Sequence, residues 1–431
     1  MDILKNTLWS TLSNGFAFFL MTVSQIIIGR KLGASILGEY YLIITINLIA
    51  TTILSLGIGL SNTVFTAKKE YPLSEINIVS IFYSFCLGGC GILFLWLSNL
   101  LRINIFGSIN RSYLIYPFLM LPFTLYMLYW NSLMVGTGKI VLQSKLIIYL
   151  STIWCVLNIL SVFLGIGMIG LIYSWIFYVS ISFFSMLFIA FKQDTSSIRL
   201  NLKLLRSVLN FGFRGNIGEV ATQIWKRMNI FLLSYFHGVN AVGIYSVAAE
   251  LNEKILLITG PIKNALTNRI TSSSKEDGRV LMAKASRNIF FWFFVLILFL
   301  IMSADLVISI LYGKQFNSAI NPFRILLVGT LATGVTPIVS IFFIGQLRMP
   351  GLLSLLATFN ALISIVVGML LIPGFNVIGT AIGYTTASII GIVLLIYFLN
   401  RFSKCSIREI FIIKKSDFME YKKFFRFKNS R

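Results

Sequence analysis

Acidic residues are scarce in this chain: 14 Asp and Glu stand against 36 Lys and Arg, and charged residues of both signs make up only 12% of 431 positions. With 57% hydrophobic residues and a mean hydropathy of +0.88, a water-soluble globular domain is excluded, because such domains carry about 25% charge. Segments that alternate apolar with polar residues are missing too, which excludes a transmembrane β-barrel. The single histidine, His237, has no second histidine or carboxylate near it and reads as a polar turn residue rather than a metal ligand. Cys86, Cys90, Cys155 and Cys405 form no Cys-x-x-Cys pair, and three of them lie inside apolar runs, so they read as small hydrophobes. No Ser-His-Asp set, metal-ligand cluster or phosphate-binding loop occurs. Catalysis therefore has no visible seat, and no cofactor is expected.

What the chain has in abundance is apolar sequence of membrane-spanning length. Runs near 8–29, 41–66, 77–98, 113–137, 146–166, 170–191, 208–236, 243–267, 288–312, 323–346, 352–372 and 377–399 each approach or exceed the ~20 residues that a helix needs to cross ~30 Å of hydrocarbon. The expected fold is an all-α integral membrane bundle of twelve helices. The first run begins at Leu8 and continues past the length of a cleaved leader without an Ala-x-Ala site, so it reads as a retained span. Gly165-Ile-Gly-Met-Ile-Gly170 matches GxGxxG letter for letter. It lies at a hairpin between two apolar runs, without the strand a dinucleotide fingerprint requires, and is read as a tight turn.

The chain repeats itself. Gly33, Gly38 and Tyr40 recur 205 residues later as Gly238, Gly243 and Tyr245, and Pro117, Phe118 and Leu121 recur as Pro322, Phe323 and Leu326. The offset then grows to 209, pairing Gly136 and Lys139 with Gly345 and Arg348, and Gly165, Ile169 and Gly170 with Gly374, Ile378 and Gly379. The spacing predicts two six-helix halves in parallel repeat: a lobe over 1–191, a basic linker over 192–207, a second lobe over 208–400 and a basic tail over 401–431.

The distribution of basic residues sets an orientation. With the N-terminus in the cytoplasm, the tail, the even-numbered loops and residues 1–7 hold 25 Lys and Arg, and the odd-numbered loops hold six: Arg30, Lys31, Arg102, Arg111, Lys314 and Arg324. That is the positive-inside pattern, and the clusters read as topology signals and anionic-lipid contacts, not as a nucleic-acid surface. The tail segment Tyr421-Lys-Lys-Phe-Phe-Arg-Phe-Lys reads as a membrane-surface segment.

Charge within the spans is one-sided. The first six runs contain no Asp, Glu, Lys or Arg, whereas runs seven and eight hold Arg214, Glu219, Lys226, Arg227, Glu250, Glu253, Lys254 and Lys263, with Asp305 near the end of run nine. At roughly 2.5–3.5 kcal/mol for each charge at a helix centre, eight such groups facing lipid would cost on the order of 20 kcal/mol. They are therefore expected to face one another or water. Glu219, Gln223 and Lys226 share a helical face at i, i+4 and i+7, and Glu250, Glu253 and Lys254 make a second face on the neighbouring span. A dry network of ion pairs is one reading. The two excess positive charges favour the other: a water-filled, cationic chamber for an anionic cargo.

Ile28-Gly-Arg30-Lys-Leu-Gly33 followed by Gly38-x-Tyr40, together with Trp225-Lys-Arg-Met-Asn-Ile, Gly243-Ile-Tyr-Ser-Val-Ala-Ala-Glu250 and Pro261, resembles the polysaccharide-transport flippases of the MOP exporter superfamily, with the O-antigen branch nearest. The resemblance spans essentially the whole chain. It implies two six-helix lobes in a V with a central cavity and cytoplasmic termini in a bacterial inner membrane. The implied function is non-enzymatic: movement of an undecaprenyl-pyrophosphate-linked oligosaccharide between leaflets, with membrane lipids and other polysaccharide-assembly membrane proteins as partners. By position it makes Arg30 a candidate lumen residue near the outer mouth and Lys226 and Arg227 candidates for contacting pyrophosphate or acidic sugar; the charge within the spans adds Arg214, Lys254 and Lys263 as lumen candidates. Relatives often carry Asp near the place of Asn229, so any H+ or Na+ coupling would fall to Glu219, Glu250 or Glu253. A drug or organic-cation antiporter of the same superfamily is the nearer alternative and predicts an acidic lumen. A membrane polymerase or ligase would need a larger loop than the one near 99–112.

Overall fold

A computed structural model describes residues 2–100, 109–194, 199–414 and 417; within these, the side chains of 2–5, 7, 99, 111, 214, 215 and 268 lie outside the description. The expected surface segment at 421–428 and parts of the linker and of the loop at 99–112 likewise lie outside the described residues.

The described residues form helices and turns, with no strand among them. Eight helical stretches are long and apolar enough to cross a membrane. Three of these each contain two crossings, joined without a loop at Gly33, Gly238 and Asn376, where the backbone leaves helical geometry. The crossings are α1 (2–32), α2 (34–68, broken at 55–57), α3 (Leu73–Leu100), α4 (115–136, broken at Met120), α5 (Ile140–Phe163), α6 (Gly167–Gln193), α7 (202–237), α8 (239–272, broken at Leu257 and Ile258), α9 (Lys275–Tyr312), α10 (320–345, broken at Gly334 and Val335), α11 (350–375) and α12 (377–403). A short helix, α13 (Ile407–Phe411), follows. Helices α1–α6 and α7–α12 make two lobes, and the even number of crossings returns the tail to the face that bears the linker.

The repeat is structural. Gly33 and Gly238 adopt the same left-handed turn, with φ of 81° and 78°, a conformation that glycine enters without steric penalty. Gly136 of α4 packs against Thr63 and Thr66 of α2, and its counterpart Gly345 of α10 packs against Thr271 of α8. Asn47 donates to the Pro117 carbonyl at 2.7 Å, joining α2 to α4; Asn252, 205 residues on, accepts from Thr330 at 2.5 Å, joining α8 to α10. The Gly165–Gly170 string is the α5–α6 turn, with φ of 71° at Gly165 and 65° at Gly167.

The lobes meet at two levels. At the face carrying the Gly33 and Gly238 turns, Gly38 of α2 and Gly243 of α8 lie back to back: a methyl on Gly38 would strike the Val239 carbonyl, and one on Gly243 the Ala34 carbonyl. Toward the linker face, α2 is joined to α7, where Ser61 donates to the Val208 carbonyl at 2.7 Å and Asn216 to the Thr52 carbonyl at 3.3 Å. The pair related by the repeat, α1 and α8, is more open there: Leu8, Thr11, Leu12, Asn14 and Phe16 of α1 are exposed, as are Leu257, Ile258, Lys263 and Asn264 of α8.

Candidate functional site: a charged cavity between the lobes

Between these two levels lies a cavity of about 750 Å³, walled by α1, α2 and α5 of one lobe and by α7, α8, α10, α11 and α12 of the other. It reaches the surface at Lys263, which is both on the wall and exposed. Toward the glycine turns it ends under the Gly38–Gly243 contact.

All the charge on this wall comes from the second lobe. Lys226 and Arg227 of α7 face Glu250, Glu253, Lys254 and Lys263 of α8, four bases against two acids. Arg227 donates to Glu253 at 2.8 Å, Lys254 pairs with Glu250 at 3.4 Å, and among the described residues Lys226 and Lys263 make no ion pair. Two uncompensated positive charges thus border the cavity, an arrangement that hydration or a bound anion stabilises. The first lobe supplies neutral partners: Gln25 of α1 donates to Glu250, and Tyr41 of α2 accepts from Arg227, whose guanidinium also sits 5.7 Å from the Tyr41 ring centroid. Ser24, Tyr40, Trp154 and Asn158 extend this neutral wall, with Asn158 donating to Ser24 at 3.1 Å. Trp225 and Tyr384 stack in parallel on the opposite side, 5.4 Å apart.

The repeat shows where the asymmetry lies. Counting back 205 residues, Lys226, Glu250 and Glu253 correspond to Met21, Thr45 and Leu48, which also line the cavity. Both lobes offer the same backbone to the chamber, and one of them carries the charge.

Residues 137–321 match the family described as polysaccharide biosynthesis protein. Among solved structures, the chain is similar to the lipid II flippase MurJ in an inward closed conformation (TM-score 0.76, 16% identity, 91% of this chain and 87% of that one). It is also similar to an inward-facing multidrug resistance MATE family transporter of the MOP superfamily (0.73, 16%, 90% and 96%). The chain has the two-lobed MOP superfamily fold. The resemblance drawn from sequence, to polysaccharide-transport flippases of that superfamily, agrees with the family match over 137–321 and with the fold. A third structure of this fold, a MOP superfamily transporter from Pyrococcus furiosus described as having a binding pocket of reverse polarity, covers 93% of this chain and 95% of its own at a TM-score of 0.61 and 14% identity. An uncharacterized membrane protein of Methanocaldococcus jannaschii is 24% identical over 204 residues, a match that takes in 46% of this chain and only 40% of that protein.

Within the MOP fold the candidate residues separate. Lys226, Arg227, Glu250, Glu253, Lys254 and Lys263 come together on the cavity wall. Arg30 does not. It lies beyond the Gly38–Gly243 contact and donates to the Leu311 carbonyl at 2.8 Å and to that of Ile310, bridging α1 to the end of α9. Its neighbour in this seam, Gln315, donates to the Gly29 carbonyl at 2.9 Å. A guanidinium at the last turn of a helix meets carbonyls with no partner inside the helix, which is why it settles there and not in the lumen. Glu219 is exposed, two turns toward the linker face from Lys226 on the same side of α7, and accepts from Gln223 at 3.2 Å. Arg214 sits on α7, but its side chain lies outside the described residues. His237 bonds the Ile372 carbonyl at 2.8 Å, and Asn229 donates to Ser364 at 2.9 Å inside its lobe.

Charge counting missed the neutral wall of Gln25, Tyr41, Trp154 and Asn158, since such residues in an apolar run look like helix packing. It also set Lys145 outside the fifth span. That residue lies more than a turn inside α5, with its ammonium 6.0 Å from the Trp9 ring centroid of α1.

Proposed function

We propose that the protein moves an anionic, lipid-linked oligosaccharide of the undecaprenyl-pyrophosphate type, an O-antigen repeat unit, across a bacterial inner membrane by alternating access. The observation that carries this reading is the wall with two positive charges in excess, Lys226 and Lys263, in a chamber shared with an uncharged lobe. A lipid-linked sugar has a charged polar head that cannot enter hydrocarbon and a tail that need not leave it, so the protein has to hydrate and neutralise only the head. The match to the polysaccharide biosynthesis family and the likeness to a lipid II flippase support the cargo class. In this reading the linker face is cytoplasmic, as the basic-residue distribution supports. The lobes over 1–191 and 208–400 rock about the cavity, and Glu219, Glu250 or Glu253 supplies the carboxylate for any ion coupling.

A leaflet-specific assay of the lipid-linked repeat unit in a deletion strain tests it. Wild-type protein restores exposure of the unit on the periplasmic leaflet, and the double variant Lys226→Ala, Lys263→Ala lowers the rate at least about tenfold, the loss expected when charge-assisted contacts of ~1.5–3 kcal/mol are removed. Unchanged transport by a well-expressed double variant would count against the reading. A second reading, antiport of drugs or organic cations, draws on the likeness to a MATE transporter. It predicts that the deletion strain gains drug sensitivity with the repeat unit unaffected, and the excess of bases on the wall argues against it.

A further inference from the structure

We infer that Glu250 and Glu253 are resident counter-anions, holding Lys254 and Arg227 in the empty chamber until the anionic head group of the cargo displaces them, and that this exchange releases the lobes from each other. The inference rests on the proposed anionic cargo and names how that cargo is read.

The geometry has four parts. Each acid holds one base, Glu253 with Arg227 at 2.8 Å and Glu250 with Lys254 at 3.4 Å. Each of these pairs is tethered to the uncharged lobe by one neutral side chain: Gln25 donates to Glu250, and Arg227 donates to Tyr41. Both tethers lie on the same wall as the two lysines without an ion pair. Finally, neither pair has a counterpart in the first lobe, where the equivalent positions are Thr45 and Leu48 for the acids and Ile49 and Thr22 for Lys254 and Arg227.

The chemistry follows from competition. A pyrophosphate has several acceptor oxygens and more than one negative charge, so it engages Lys226 and Lys263 first and then outbids a single carboxylate for Arg227, which binds phosphate through parallel N–H donors. As the guanidinium turns toward the phosphate it leaves Tyr41. As Lys254 follows, Glu250 is left without its cation beside a polyanion, and like-charge repulsion drives it from its place under Gln25. The two cross-lobe tethers break together with cargo arrival, and an uncharged lipid cannot break them. That gives the chamber a preference for phosphate-bearing lipids, in which the same two bonds serve as lock and reporter.

The sign of one measurement decides the matter. Purified protein in detergent is titrated with farnesyl pyrophosphate, with farnesol as the uncharged control, and followed by tryptophan fluorescence, since Trp225 adjoins Lys226 on the wall. The wild type binds the pyrophosphate and not farnesol. Glu253→Gln and, separately, Glu250→Gln bind it about tenfold more tightly, because each removes a competitor worth about one decade of affinity, while transport slows as release becomes limiting. Weaker or unchanged binding in both folded variants would overturn the counter-anion role and leave the anionic-cargo reading intact. Failure of the wild type and both variants to bind would overturn the two together. Should Glu253→Gln not fold because Arg227 is left alone, Glu250→Gln carries the test, its partner Lys254 being less enclosed.

Discussion

At Gly38 a single methyl group decides whether the two lobes can meet. Its α-carbon lies against the backbone of Val239 and Gly243, where the opposing atoms are carbonyl and amide groups that cannot rotate away. Gly38→Ala is expected to strain the contact by about 1–3 kcal/mol, the usual range for overpacking, and to shift the protein toward a form open at the glycine-turn face. A cysteine placed at Gln25 would then react faster with a thiol reagent supplied at that face. Gly15→Ala, where a methyl meets nothing within 4 Å, serves as the silent control; equal reactivity in the two variants would remove Gly38 from the seam. The residues that the sequence made legible are those whose type is costly in a membrane, the ionised side chains of α7 and α8, or whose recurrence is visible, the paired glycines. Gln25, Tyr41 and Asn158 were not legible, because an amide or phenol in an apolar run carries no mark of which helix it will face. Arg30 sits outside the cavity for a related reason: its charge calls for a polar partner, and the end of α9 supplies one that no local pattern in α1 announces.

Among the elements, the tail helix α13 is held to α9 by polar bonds that a linear reading does not connect. Arg287 of α9 clasps Asp417 through Nε at 2.5 Å and Nη2 at 2.8 Å, with both side chains buried. Ser406 caps α13 in a reciprocal box with Glu409, Ile410 is fully buried, and Phe411 packs edge-on to Phe290 at 4.7 Å. The Arg287 guanidinium holds the Asp417 carboxyl below its usual range, and the Ser406 backbone N–H does the same for Glu409. A carboxylate whose pKa is lower in the folded state stabilises the fold above its unfolded pKa and loses that contribution as pH falls through the folded one. The clasp is therefore complete at neutral pH and opens only below the ordinary carboxylate range. Asp417→Asn is expected to free the tail for limited proteolysis at pH 7 as acid does for the wild type; a tail equally protected in the variant would show that apolar packing alone holds it. The kinked helices teach the same lesson at this scale. The Gly33 and Gly238 turns are visible as a repeated glycine, whereas the α11–α12 turn passes through Asn376 at φ 51°, opposite Gly167 at φ 65° in the 209-residue offset, so an asparagine stands where the first lobe shows a glycine.

For the whole molecule, the exposed ends of the bundle allow its orientation to be checked. If the linker face is cytoplasmic, a cysteine at Lys314 in the far-face turn is labelled by an impermeant thiol reagent in intact cells, and one at Arg401 is labelled only after the membrane is opened. The reverse pattern would invert the proposed direction of transport. Because the two uncompensated lysines act through charge at a surface-connected site, binding of an anionic lipid head is also expected to weaken as ionic strength rises past ~0.1 M, where the Debye length falls to about 10 Å.

By itself the sequence determined that this chain lives in lipid, that it is one six-helix unit used twice, and that ionised groups in its second half had to turn away from hydrocarbon. These follow from hydropathy, recurrence and the cost of charge in a membrane, each a property that can be summed along the chain. Only the tertiary structure decided which charges share a wall, which are neutralised, and which neutral side chains from the first lobe complete it. Those depend on helix rotation and on contacts between residues some two hundred positions apart, and a linear pattern carries neither.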